Sequence, residues 1–203
     1  MFVRQRPSQS AIENFFFQQR SQGFSYPEVG LTNGTLPRGY NIDQNRERLG
    51  KGGQTFYEAT ASLRAWQMFK LGWVELFPPN VQIDVGATVA VLVHHFGFWS
   101  LNACRVVYVI EEDRRFGFAY GTLEDHAEQG EERFLVEWLP EDDSVRYNIL
   151  AFSRPKKWQA RVVRPMSRML QRKFARDSIG AMMQAVHRGL PNKPLQPTAE
   201  KGG

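Results

Sequence analysis

The chain has 203 residues, of which 42% are hydrophobic and 13% aromatic, so it can bury a core, and an intrinsically disordered protein is excluded. A net charge of +5 and a pI of about 9.5 permit contact with nucleic acid, anionic lipid or acidic ligands without choosing among them. Cys104 is the single cysteine, which excludes an intrachain disulfide and a metal site made of several cysteines.

The N-terminal region shows no targeting signal. Its only apolar run is Phe15–Phe17, whereas a secretory signal needs about 7 to 15 apolar residues. The longest apolar stretch, residues 85–93, is far shorter than the ~20 residues of a membrane helix. We therefore expect a cytoplasmic protein.

Hydrophobic periodicity and turn residues predict a helix, a meander of strands and a final helix. In chain order the expected elements are a helix over 10–22, a strand over 40–48, a helix over 54–71, strands over 73–77, 87–96, 99–110, 114–123, 131–139 and 144–153, and a helix over 156–188. Short connections between the later strands predict antiparallel hairpins. We expect an N-terminal extension over 1–24, a single domain over 25–188 and a disordered, proline-containing tail over 189–203.

A curved antiparallel sheet needs its apolar face covered, and the long last helix is the natural cover. The predicted fold class is α+β: a curved antiparallel β-sheet that grips a long C-terminal helix, with one shorter helix before the main strands. A sheet wrapped around a helix in this way often leaves a cavity between them.

Several segments, taken in order, carry a resemblance to a known family: Pro37-Arg38-Gly39-Tyr40, Leu49–Gly52, Trp66–Phe69 with Gly72-Trp73, Gly117–Leu123, Gly130–Phe134 and Ala151–Pro155. Over residues 25–186 the chain resembles the domain of unknown function numbered nineteen-ninety, found in bacteria and plants. That pattern is similar to the START-like helix-grip superfamily, whose members bind lipids or hydrophobic small molecules or act as cyclases or hydrolases. The resemblance implies the gripped helix and a ligand cavity, but a fold alone does not select a function.

The alternation of side chains along neighbouring strands predicts a polar cluster at one end of the sheet. Glu132 shares the inner, apolar face of its strand with Phe134, and Ser153 faces inward near the end of the next strand. Tyr120 and Thr122 face inward near the end of the preceding strand. Because a hairpin places one strand's end beside the next strand's start, these polar side chains should gather.

Glu132 is the candidate acid or base of this cluster. A carboxylate among hydroxyls in an apolar cavity has a raised pKa and can transfer protons. The alternative is structural: Glu132 pairs with Arg154 or Arg133 and closes the cavity mouth. His126 also lies close in sequence, but a histidine among acidic residues in a hairpin loop indicates a solvated turn rather than a metal ligand. We expect no metal and no cofactor.

The leading hypothesis is a binding protein for a small apolar or amphipathic molecule held between the sheet and the last helix. The residues expected at the ligand are Phe118, Tyr120, Thr122, Glu132, Phe134, Tyr147, Ser153 and Arg154. Phe116 and Trp138 are expected to complete the aromatic lining. The alternative is an enzyme of the hydrolase or cyclase type that uses Glu132 as acid or base.

A third hypothesis rests on arginines spaced three and four residues apart on one face of the last helix, namely Arg161, Arg164, Arg168, Arg172 and Arg176. Such a row can meet the phosphates of nucleic acid or of an anionic membrane. The simpler interpretation is a solvated helix face opposite the apolar stripe. No nucleic-acid-binding motif accompanies it, and the sequence does not fix the oligomeric state.

Overall fold

The alternating apolar segments between residues 88 and 155 form an antiparallel meander, as the sequence predicts. The computed structural model describes residues 2–156 and 164–188. In chain order its elements are β1 (Phe2–Val3), α1 (Gln9–Gln19), a 3-10 turn (Leu31–Asn33), β2 (Asn41–Lys51), α2 (Gly52–Arg64), a second 3-10 turn (Gln67–Phe69), β3 (Val74–Phe77), β4 (Thr88–His95), β5 (Phe98–Glu112), β6 (Arg115–Thr122), β7 (Glu128–Trp138), β8 (Ser144–Pro155) and α3 (Arg164–Arg188).

One sheet contains all the described strands. Their order is β2-β8-β7-β6-β5-β4-β3, and β1 pairs with the first residues of β5. Each described pairing is antiparallel. The chain therefore has the predicted α+β helix-grip fold.

α3 crosses the inner face of the sheet and is fixed there by both apolar and polar contacts. Met182 and Val186 are buried against the core. The hydroxyl of Ser178 lies 3.0 Å from the Tyr147 hydroxyl of β8. Asp177 accepts a hydrogen bond of 3.0 Å from the indole N–H of Trp73. The long helix is thus the cover that the sequence predicts.

The predicted helix over 54–71 is shorter in the structure because the backbone turns at its end. Trp66 adopts a left-handed conformation with φ 53°, so the helix stops at Arg64. The 3-10 turn that follows drives Met68 and Phe69 into the core. The first residues of the predicted last helix and the whole predicted tail, 189–203, lie outside the described residues.

The outer face of the sheet is also covered, by chain that precedes the main strands. Ile12 of α1 is buried against Leu92 and Leu101. Further along, Tyr26 packs on Gly121 of β6, where its ring leaves no room for a Cβ. This second layer, which is not apparent from the sequence, buries Glu131 to 2% exposure on the face opposite Glu132.

Candidate functional site

A cavity of about 500 Å³ lies between the inner face of the sheet and α3. It exists because small side chains occupy the inner positions at one end of the sheet: Ser100, Cys104, Gly130, Ala151 and Ser153 all line it. At the other end the corresponding positions carry bulky side chains that fill the space under α2 and α3. The same strands therefore form a packed core at one end and a hollow at the other.

Glu132 and Tyr120 form the polar centre of the cavity wall. The two residues are direct partners across β6 and β7, and the Tyr120 hydroxyl donates a hydrogen bond of 2.9 Å to Oε2 of Glu132. Burial raises the pKa of Glu132 to about 7, opposed by the Tyr120 hydrogen bond and helped by the negative charge of Asp43. Among the described side chains, no cation lies within ion-pair distance of Glu132. Glu132 is therefore poised to exchange a proton near neutral pH.

An ion pair joins α3 to the edge strand β2 beside the cavity. The guanidinium of Arg168 binds both carboxylate oxygens of Asp43, with 2.7 Å between Nη2 and Oδ1. One turn away, the amide of Gln171 donates a hydrogen bond of 3.1 Å to the Ser153 hydroxyl of β8. These contacts hold the helix above the hollow.

His126 and Thr122 line the cavity near the loop that joins β6 to β7. Nδ1 of His126 lies 3.0 Å from the backbone nitrogen of Glu128, and burial lowers the pKa of this histidine to about 4. The Thr122 hydroxyl accepts a hydrogen bond of 3.0 Å from the backbone N–H of Gly130. Burial raises the pKa of the Cys104 thiol, which favours its protonated and less nucleophilic form.

The structure places the four polar residues of the predicted cluster at the same cavity. Tyr120, Thr122, Glu132 and Ser153 all line the cavity. The structural alternative for Glu132 is wrong, because the proposed partners face the other side of the sheet. Arg133 donates to the backbone oxygen of Thr32 at 2.8 Å.

Several residues expected at the ligand lie elsewhere. Phe118, Phe134 and Tyr147 face inward as predicted, but each is fully buried in the packed half of the core and does not line the cavity. The reason is that alternation fixes the face of a strand and not the position along it where packing stops. Phe118 and Phe134 are packed together, with 5.4 Å between their ring centroids.

The prediction that Arg154 contacts the ligand is also wrong, because Arg154 lies on the outer face of the sheet. Its guanidinium stacks on the ring of Tyr40 at 4.3 Å, and its Nε donates to the side chain of Gln129. Phe116 and Trp138 lie near α2 instead of at the cavity. Phe116 is covered by the guanidinium of Arg64, and Trp138 stacks on the ring of Phe56.

Sequence reasoning missed Asp43 because apolar alternation is absent from β2. The residues of β2 that pair with the cavity residues of β8 are polar: Asn41 pairs with Ser153, and Asp43 pairs with Ala151. Polar residues at successive inner positions of a strand indicate that its inner face borders a cavity and not a core. This pattern is the one signal in the sequence that could have identified Asp43.

The predicted basic stripe is not a continuous solvated face. Arg161 and the side chain of Arg164 lie outside the described residues. Arg168 is held by Asp43. Arg172 is exposed at the cavity rim, and Arg176 is exposed beside Asp177.

The described part of the chain contains neither a metal-binding cluster nor a membrane-spanning helix. In residues 2–156 and 164–188, no group of three or more His, Cys, Asp and Glu side chains is arranged to hold a metal ion. No helix within those ranges is both long and apolar enough to cross a membrane.

Comparison of the sequence with protein families identifies one match: Domain of unknown function (DUF1990) matches residues 25–181. This chain belongs to the DUF1990 family. It is 35% identical to a UPF0548 protein from Dictyostelium discoideum, over 92% of this chain and 96% of the relative. It is 34% identical to a UPF0548 protein from Deinococcus radiodurans, over 92% of this chain and 99% of the relative.

Solved structures match this DUF1990 chain in fold at low sequence identity. A hypothetical protein from Helicobacter pylori superposes with a TM-score of 0.55 at 13% identity, covering 80% of this chain and 95% of that one. A Thalictrum norcoclaurine synthase point mutant, in complex with a transition-state analogue, gives a TM-score of 0.50 at 12% identity, covering 76% and 98%. At such identities these likenesses show the helix-grip fold alone.

Proposed function

We propose that this DUF1990 protein binds a small, largely apolar molecule in the cavity, with a polar group of that molecule placed at Glu132 and Tyr120. The observation that carries the proposal is a cavity of about 500 Å³ whose wall holds a carboxylate with a single hydroxyl partner. Protein interiors are normally packed like organic crystals. A hollow of this size is far larger than a packing defect and lies in the range of roughly 300–1,000 Å³ that small-molecule sites occupy.

The cavity lining suits such a molecule. Phe69, Val91, Ile149 and Phe174 supply apolar surface, which favours burial of hydrocarbon or aromatic groups. Within this lining Glu132 and Tyr120 supply a hydrogen-bonded carboxylate and hydroxyl, and polar groups placed in this way orient a ligand in a pocket. The fold-related norcoclaurine synthase, solved in complex with a transition-state analogue, offers a precedent for a small molecule in this architecture.

Native mass spectrometry of the protein purified from its own cells tests the proposal. We expect a bound small molecule on the wild type that is lost on denaturation. Ala151→Leu fills the floor of the cavity and should abolish binding while the far-UV circular dichroism stays unchanged. Ala151→Ser, which adds one oxygen atom, is the matched control and should keep the molecule.

Two results together would overturn the proposal. One is a wild type without any bound molecule. The other is a failure of the wild type to take up an apolar fluorescent probe, 8-anilinonaphthalene-1-sulfonate, any better than Ala151→Leu does.

A second candidate function, an enzyme of the hydrolase or cyclase type, is favoured by the pKa of about 7 at Glu132, which suits a general acid or base. Tyr120 would hold the carboxylate in place. If a turnover is found by screening ester and cyclisation substrates, Glu132→Gln should remove it while the protein stays folded. Undiminished turnover in that variant excludes Glu132 as the acid or base.

A further inference from the structure

We propose that the molecule held in the cavity carries a protonated amine, which pairs with the carboxylate of Glu132. This inference rests on the proposed function and adds the charge class of the ligand. It starts from the lateral row that the strand register builds on the inner face of the sheet: Asp43, Ala151, Glu132 and Tyr120 are successive partners on β2, β8, β7 and β6.

In this row one carboxylate lies on each side of a small residue, Ala151. Neighbouring strands lie about 4.8 Å apart, so Asp43 and Glu132 are separated by roughly 10 Å across Ala151. The methyl group of Ala151 leaves the space above it open, and that space is the floor of the cavity. A ligand group seated on Ala151 lies next to Glu132.

The charges around this floor do not neutralise Glu132. The titratable and charged groups that line the cavity are Asp43, His95, Cys104, Tyr120, His126, Glu128, Glu131, Glu132, Arg168 and Arg172. Asp43 and Arg168 satisfy each other in a two-bonded ion pair. Arg172 is exposed at the rim, and burial holds His126 in its neutral form by lowering its pKa to about 4.

Glu131 lies on the outer side of its strand, where its carboxylate accepts hydrogen bonds from the Tyr26 hydroxyl and from backbone N–H groups, including that of Gly30. It is thus satisfied without a ligand. Glu132 differs from Asp43 on the same inner face. Asp43 is paired with Arg168, whereas Glu132 has a hydroxyl partner and, among the described side chains, no cation within ion-pair distance.

An ammonium group would supply the hydrogen-bond donors and the positive charge that the Glu132 carboxylate lacks. A carboxylate can accept about four hydrogen bonds, and Tyr120 supplies one. Burying the negative charge without a cation is costly, and a cation with several N–H donors removes that cost. A neutral ligand group leaves the charge uncompensated, and an anionic one adds repulsion. Since Glu132 is half protonated near neutral pH, pairing with an ammonium ion releases its proton to the solvent.

Three chain-matched probes test the charge class: decylamine, decanol and decanoate, each titrated into the full-length protein by calorimetry at pH 7. We expect decylammonium to bind at least about tenfold more tightly than either of the others. The difference between its binding enthalpies in phosphate and in Tris buffer gives the number of protons released, and we expect about half a proton per bound molecule. Glu132→Gln should lose both the preference and the proton release. Glu137→Gln, on the outer face of the same strand, is the matched control and should keep both.

The outcomes separate the two proposals. If none of the three probes binds, the cavity function itself is wrong. If decanol or decanoate binds as tightly as decylamine, the cavity function stands and the amine inference is overturned. The wild-type comparison decides this even if Glu132→Gln does not fold.

Discussion

The Tyr120 hydroxyl reaches the Glu132 carboxylate at 2.9 Å from the neighbouring strand, and it is the single described hydrogen bond of that carboxylate. The next residue, Glu131, has the opposite environment. Its carboxylate points to the other face of the sheet, where the Tyr26 hydroxyl and the backbone N–H of Thr32 both donate to it. Two adjacent glutamates of β7 thus differ in how well the fold satisfies their charge, and this difference can be measured.

Glu132→Gln should flatten the dependence of stability on pH. The folded-state pKa of about 7 lies above the ordinary value of 4.5, so the folded protein binds the extra proton. The stabilising contribution of this group is therefore fully present below about pH 4.5 and is lost as the pH rises toward 7, by at most about 3 kcal/mol. We expect the variant to gain roughly 2 kcal/mol relative to wild type between pH 5 and pH 8 in urea unfolding. An equal pH slope in both proteins contradicts the buried, unpaired state of Glu132.

Glu131→Gln should be destabilising at every pH where the wild type is folded. The new amide group brings N–H donors against the N–H of Thr32 and the hydroxyl of Tyr26, which already donate to this site. We expect a loss of about 2–4 kcal/mol in the free energy of unfolding and faster amide exchange in residues 24–33. Glu132→Gln is the matched neighbour, and it should leave exchange in that segment unchanged. A neutral effect of Glu131→Gln would show that the outer layer does not depend on this carboxylate.

His126→Asn should reduce the loss of folding stability at low pH. This dependence has the opposite direction to that of Glu132, whose contribution to stability is lost as the pH rises. Burial lowers the folded-state pKa of His126 from 6.5 to about 4, so unfolding takes up a proton in this range. The contribution of this group is fully present above about pH 6.5 and is lost as the pH falls toward 4. Asparagine offers an oxygen acceptor to the N–H of Glu128 without titrating. Relative to wild type, the variant should gain about 2 kcal/mol on going from pH 8 to pH 4.5. An equal change in stability with pH in His126→Asn and in the wild type would contradict the burial of His126.

Asp43→Asn should loosen α3 over the cavity. The change keeps the shape of the side chain but removes the charge that binds Arg168. We expect about 1 kcal/mol lower stability and faster amide exchange in the half of α3 nearest Arg168. Glu75→Gln is the control, because it breaks the more exposed pair with Arg6, and Glu75 pairs with Leu92 on the outer face of the sheet, opposite α3. Unchanged exchange in α3 after Asp43→Asn would mean that apolar packing alone holds this part of the helix.

Local patterns in the sequence were sufficient to predict the antiparallel meander, the gripped helix and which residues of each main strand face inward. The inward direction of Glu132, Tyr120 and Ser153 follows from the period of two in a β-strand, which is a property of the backbone. Hairpin connections then bring these residues to one end of the sheet, where all three line the cavity.

The tertiary structure alone decided where the core ends and the cavity begins. Phe118 and Phe134 share the faces of Tyr120 and Glu132, yet the chain that follows α2 packs against them and fills their end of the sheet. It also decided that Asp43, on a polar edge strand, meets Arg168, which is 125 positions later in the chain. These outcomes depend on contacts between distant segments, and the alternation of side chains along one strand carries no information about which segment covers it or how far.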